Sequence, residues 1–247
     1  MDYLIDKQGF LLIINNLSNQ GSKDILDIRK TFLDLGFLIK YEENQSAEQI
    51  SELCENISQN EIEDIRLDEV SCFICIILAY NIANNYVASS NDSDSIIDFD
   101  NIITYVGNCD ALENKPKLFL LQAYVKNEEH KAGGYLHHDA GRFQDFNLPI
   151  SIKIKEDFFF AYSTIFYNNS SISEIRREGS HFFQIFCDRL KNNINDRLDI
   201  CNIMTNVNRF ILLKQAKLPL REMCCFISIL NKNLIFIKKT EEHPQVL

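Results

Sequence analysis

Residues 71–79 read Ser-Cys-Phe-Ile-Cys-Ile-Ile-Leu-Ala, and with Tyr80 the apolar run that starts at Cys72 is nine residues long. No charge interrupts it. Such a run fits a strand covered on both faces, as central strands of a parallel sheet are, whereas a half-exposed antiparallel strand would alternate polar and apolar positions. It has less than half of the roughly 20 residues that a membrane-spanning helix needs. Similar runs lie on either side, at 9–15 (GFLLIIN) and at 117–123 (KLFLLQA), and both predict buried strands.

Helical signals fill the spaces between these runs. Ser22 and Asp24 offer cap chemistry, Ile25, Ile28, Phe32 and Leu35 recur at helical spacing, and Gly36 stands where a left-handed C-cap residue belongs. A short apolar run at 37–41 follows. Ser46 with Gln49 three residues on is a capping-box signature, ahead of the stripe Ile50, Leu53, Cys54 and Ile57. Residues 96–106 read as a further helix. The pattern lapses from 126 to 155, a polar stretch with Gly133, Gly134, Gly141 and Pro149 that reads as a flexible linker. It resumes with a strand at 157–163, helices at 180–191 and 198–213, and a last strand at 224–230 and 234–237 that is broken at Asn231. Alternating strands and helices predict an α/β layered sheet, with ligand sites at the carboxyl ends of its strands.

Composition narrows the function. With 247 residues, 46% of them hydrophobic, one compact domain is expected. The 25 Lys and Arg against 35 Asp and Glu give a net charge of −10, which argues against nucleic acid or an anionic membrane as partner, since both call for a basic face. The first residues, MDYLIDK, are acidic where a signal peptide would be basic, so a cytoplasmic location is expected. Eight Cys are too sparse for a disulfide scaffold and most sit in apolar runs, as buried free thiols do. The chain has 18 Phe and 9 Tyr but no Trp.

The order of these elements and a set of short strings resemble the caspases, cysteine peptidases that cleave after Asp. The strings are GFLLIINN, GSKDILDIRKTFLDLGF, FICIILAYN, NKPKLFLLQAYVK, DFFFAYST, GSHFFQIFCDRL, MTNVN and CCFISILNKNLIF, and they span nearly the whole chain. The resemblance implies a three-layer α/β sandwich, with a six-stranded, mostly parallel sheet between helices on both faces and a last strand that forms a dimer edge. It divides the single domain into a large-subunit-like part (1–125), a linker that is often cut (126–155) and a small-subunit-like part (156–247). No death-fold module is expected ahead of Gly9.

Two positions depart from the family's chemistry. Where active caspases read Gln-Ala-Cys-Arg-Gly, with Cys as nucleophile, this chain reads Gln122-Ala123-Tyr124-Val125-Lys126. Where they read Ser-His-Gly, with His as acid/base and Gly at the oxyanion, it reads Ala79-Tyr80-Asn81. Attack on an amide depends on a thiolate whose pKa of roughly 8.5 is lowered by a neighbouring imidazole, whereas a phenol has a pKa of about 10 and is expected to have no base beside it here. The family holds the substrate Asp with two Arg and the Gln before the Cys, because a guanidinium fork binds a carboxylate bidentately. Gln122 is the remnant. No Arg stands in 18–20, and in place of the second the chain has Ser and Ile residues at 171–174, with Arg176 or Arg177 as a possible stand-in. The missing Trp fits the same erosion: the family's Gly-Ser-Trp reads Gly179-Ser180-His181.

The resemblance therefore predicts a catalytically inactive homologue that controls an active caspase, and so apoptosis, by pairing with it or with itself through the last strand. In that strand the sets Cys225, Ile227, Ile229 and Phe226, Ser228, Leu230 would turn one face to the core and the other to the partner. The alternatives are a monomeric decoy that binds caspase substrates or inhibitors in the old cleft, and a peptidase of atypical chemistry. Asp139, before Ala140 in the linker, is a candidate cleavage site. No cofactor or metal is expected. Cys72 and Cys75 have CxxC spacing but lie within a strand run, as do Cys224 and Cys225; His130, His137 and His138 sit in the linker; and Asp92, Asp94, Asp98 and Asp100 lack the Gly and Glu of a calcium loop.

Overall fold

The structure is a computed structural model that describes residues 2–5, 8–17, 23–80, 86–88, 96–126, 156–167, 178–193, 197–215 and 221–237. Its main sheet has six strands: β2 (Phe10–Asn16), β3 (Leu38–Glu43), β4 (Phe73–Tyr80), β7 (Lys117–Lys126), β8 (Phe158–Tyr167) and β9 (Arg221–Ile229), ordered β3-β2-β4-β7-β8-β9. All neighbours are parallel except β8 and β9. The stretch at 71–79 is thus a central strand, and β2 and β4 are buried on both faces, which is why neither alternates.

Side-chain parity assigns each residue to a layer. Leu11, Ile13, Ile74, Ile76, Leu118 and Leu120 face helices α1 (Lys23–Asp34), α4 (His181–Asn193) and α5 (Ile200–Gln215). Leu12, Ile14, Cys75, Ile77, Phe119 and Leu121 face α2 (Ala47–Ser58) and α3 (Phe99–Gly107). The sandwich has three layers. Buried phenylalanines fill both interfaces, and in the second Phe119 stacks on Phe158 and Phe160 with centroids 6.0 and 5.6 Å apart and meets Phe99 edge-on at 5.7 Å.

Two local signals hold. Ser46 caps α2 in a reciprocal box with Gln49, and Gly36 takes φ 81° after α1. Two readings are corrected. Residues 96–106 are not all helix, because Ile96–Asp98 form β6, antiparallel to β5 (Tyr86–Ala88), and α3 starts at Phe99. The chain after Asn231 does not continue the last strand: β10 (Asn233–Phe236) leaves the main sheet and pairs in parallel with β1 (Asp2–Ile5). This places Leu234 and Phe236 in the α1/α4/α5 core, a burial that continuing along the sheet edge would not provide.

In strand β9, Cys224, Phe226 and Leu230 pack on one core and Cys225 and Ile229 on the other, so each face adds partly buried residues to a core instead of one face alone doing so. What β9 leaves open is its backbone edge: β8 lies on one side, and among the described residues no strand lies on the other. Cys72 and Cys75 belong to cores on opposite sides of the sheet, as do Cys224 and Cys225, so neither pair can converge on one metal ion.

Candidate functional site

Parallel pairing of β4 with β7 brings Tyr80 and Tyr124 to the same end of the sheet as direct register partners. The fold therefore places the two positions side by side at the carboxyl ends of adjacent strands. Tyr124 is 6% exposed, and its even-numbered position turns it toward the α1/α4 layer. There its phenol donates to Asp24 Oδ2 at 2.9 Å. The expectation that Tyr124 has no base beside it is thus wrong; the partner comes from α1, 100 residues away in the chain.

Asp24 is read from sequence as cap chemistry for its own helix, yet its carboxylate serves another. Its two oxygens accept the backbone N–H of Ser180 at 2.9 and 3.0 Å. Gly179 makes that approach feasible. It takes φ 78°, and a Cβ there would lie 2.5 Å from Asp24 Oδ1. Burial pushes the Asp24 carboxyl up to about 7, although the Ser180 N–H and the Tyr124 hydroxyl both favour the ionised form.

A second buried carboxylate works on the same helix end. Glu222 of β9 accepts the N–H groups of His181 and Phe182 and the Ser163 hydroxyl, each at 2.9 Å. Burial lifts it to about 7 as well, the N–H of Phe182 and the Ser163 hydroxyl pull it back, and the charge on Asp24 adds to the rise. Ser180 Oγ accepts the Phe183 N–H at 3.1 Å and completes the cap. All of the N–H groups from Ser180 to Phe183 are thereby satisfied, two carboxylates standing where helix ends commonly hold Ser, Asp or an anion.

Gln122, the expected pocket remnant, is fully buried. Its Nε2 donates to Ser163 O at 3.3 Å, and its Oε1 has no partner among the described residues. It sits on the same face of β7 as Tyr124, two residues before it. The Tyr80 side chain is not described, and Asn81, Asp139, Arg176, Arg177, His130, His137 and His138 lie outside the described residues, as does the linker from 127 to 155. Among the described residues no cluster of three His, Cys, Asp or Glu could hold a metal ion. Sequence reasoning missed Glu222. Its one signal is an acid at the head of the apolar run of β9, where an unpaired buried charge is costly.

Comparison with known proteins agrees with the fold. Residues 8–235 match the family described as Caspase domain. Caspase-3 from Bos taurus is 26% identical over 259 aligned residues, covering 96% of this chain and 86% of that protein. Caspase-3 from Mesocricetus auratus is 28% identical with the same coverage, and caspase-7 from Gallus gallus is 28% identical over 93% of this chain and 77% of that protein.

Proposed function

The chain belongs to the caspase family, and we propose that it is a non-catalytic member that regulates an active caspase by pairing through β9. The observation that carries this reading is Tyr124. At the end of β7, where the family places its thiol, a buried phenol is committed to a buried acid. Hydrolysis of an amide needs a nucleophile that is partly ionised and a donor for the oxyanion. A buried carboxylate at that place opposes both, since its charge disfavours further negative charge beside it. Cys187, whose thiol feels the charge of Asp24, is buried and pushed up to about 12, so it supplies no thiolate.

The pairing half of the proposal rests on the β9 edge. An exposed apolar edge strand must be paired, covered or charged, and β9 from Cys224 to Ile229 carries no charged residue. A caspase protomer, or a second copy of this chain, offers a strand of the same kind. The test has two arms. Pure protein is expected to leave fluorogenic Asp-containing peptides intact, and turnover sensitive to thiol alkylation would refute the non-catalytic reading. Size analysis and co-purification with active caspases should show pairing that Ile227→Lys abolishes and a changed caspase rate. A monomer without effect on any caspase would refute pairing and favour a decoy that binds peptides in the old cleft.

A further inference from the structure

Strands β1 and β10 make a two-stranded parallel sheet apart from the main one, with Tyr3 opposite Leu234 and Ile5 opposite Phe236. Its fastenings are few. Of the four residues of β1 only Ile5 is buried, and Leu4 is 44% exposed. Asn233 Nδ2 donates to Asp2 Oδ1 at 3.1 Å, the Ile237 N–H donates to Ile5 O at 3.2 Å, and the Lys232 ammonium lies 4.7 Å from the centre of the Tyr3 ring. A further fastening comes from outside this small sheet: the Tyr3 hydroxyl donates to Asp157 Oδ1, a charge-assisted bond that spans 154 residues of chain.

Several elements meet at Asp157. It is 5% exposed and takes φ 70° at the head of β8, a left-handed conformation that a residue other than glycine keeps where its neighbours hold it. Its N–H donates to Ile229 O at 3.0 Å at the end of β9, and its carbonyl accepts the Lys117 N–H at 2.8 Å at the head of β7. Its carboxylate faces the Asn231 N–H at 3.5 Å in the turn to β10, where Asn231 Nδ2 also donates to Glu156 Oε2 at 2.9 Å. Among the described residues the Tyr3 hydroxyl is thus the close donor to this buried carboxylate, and it is delivered by a strand with little buried surface of its own.

We propose that β1 is a detachable strap that opens as a unit while the main sheet stays closed, and that Tyr3 sets how often it opens. Local opening is cheapest where few apolar groups are buried and backbone hydrogen bonds are exposed, and the two-stranded sheet meets that description as the six-stranded one does not. When the strap leaves, Asp157 loses its close donor and β10 loses its partner strand, so the turn from β9 to β10 and the head of β8 loosen together. Removal or capture of residues 2–5 would then act on the end of the edge strand β9, whether or not that strand pairs with another chain.

Hydrogen–deuterium exchange of the full chain and of Tyr3→Phe, read peptide by peptide, tests this. In the unmodified protein the amides of 233–237 should exchange at least about tenfold faster than those of Phe73–Tyr80 in the central strand. Tyr3→Phe removes a hydrogen bond to a charged group and should speed exchange at 231–237 by about 10- to 100-fold while leaving 73–80 unchanged. Unchanged rates at 231–237 in Tyr3→Phe, or an equal acceleration at 73–80, would overturn the proposal. If Tyr3→Phe does not fold, the unmodified protein decides: exchange at 233–237 no faster than in the central strand would overturn the strap, since β1 would then open only with the whole domain.

Discussion

Gly179→Ala probes the point where the backbone passes closest to Asp24. Two costs combine. At φ 78° an alanine meets the steric penalty of the left-handed region, about 1 kcal/mol. Its Cβ would also stand 2.5 Å from Asp24 Oδ1 and 3.2 Å from Cγ, so the carboxylate must retreat. A retreat of roughly 1 Å stretches its contacts of 2.9 and 3.0 Å with the Ser180 N–H beyond hydrogen-bond range, leaving a buried donor unsatisfied at a cost of about 1–3 kcal/mol. The sum is about 2–4 kcal/mol, which for a domain of this size lowers Tm by about 5–15 °C. Urea unfolding read by circular dichroism measures it. In an Asp24→Ala background the clash is absent, so the same substitution should cost only about 1 kcal/mol, a coupling of about 1–3 kcal/mol in the double-mutant cycle. An effect below about 0.5 kcal/mol, or equal effects in the two backgrounds, would show that Asp24 and Gly179 are not packed as described.

Tyr124→Phe should cost about 1–2 kcal/mol, and more at pH 8 than at pH 5, because the phenol stabilises the ionised form of Asp24; chemical denaturation at the two pH values checks both size and sign. Tyr124→Cys with Tyr80→His should leave peptidase activity near background in a fluorogenic assay, since the new thiol would face an acid instead of a cation and no Arg returns to 18–20. Ser46→Ala should destabilise by about 1 kcal/mol by removing the reciprocal cap on α2, measured as a shift in denaturant midpoint. Ile76→Ala, at a fully buried position of the central strand, should cost about 2–5 kcal/mol in the same assay, and a loss under about 1 kcal/mol would contradict its place in the core.

The main sheet was legible because its local signals agreed with the global answer. The uninterrupted runs at 9–15 and 71–79 are buried on both sides, Ser46 and Gln49 cap where they promise to, and Gly36 stops α1 with the backbone only glycine adopts at low cost. The weak pattern at 96–98 misled because two isoleucines fit a helix stripe and a short strand equally well, and the pairing with Tyr86–Ala88 decides between them. The same ambiguity hid the departure of β10, whose parallel partner is the start of the chain.

By itself the sequence determined the order of the main-sheet strands and the helices between them, the absence of Cys and His at two positions, and, through strand parity, which side of the sheet each of those residues faces. Tertiary structure alone decided what lies across the layers. Asp24 and Ser180 are 156 residues apart, Tyr124 and Asp24 are 100 apart, and Glu222 reaches the same helix end from an edge strand. Periodicity fixes a residue's face because the backbone repeats every 2 or 3.6 residues, but it carries no record of which distant group that face will meet. Closure of the sheet supplies that, and it turns a capping Asp and an odd Glu into two buried acids at one helix end.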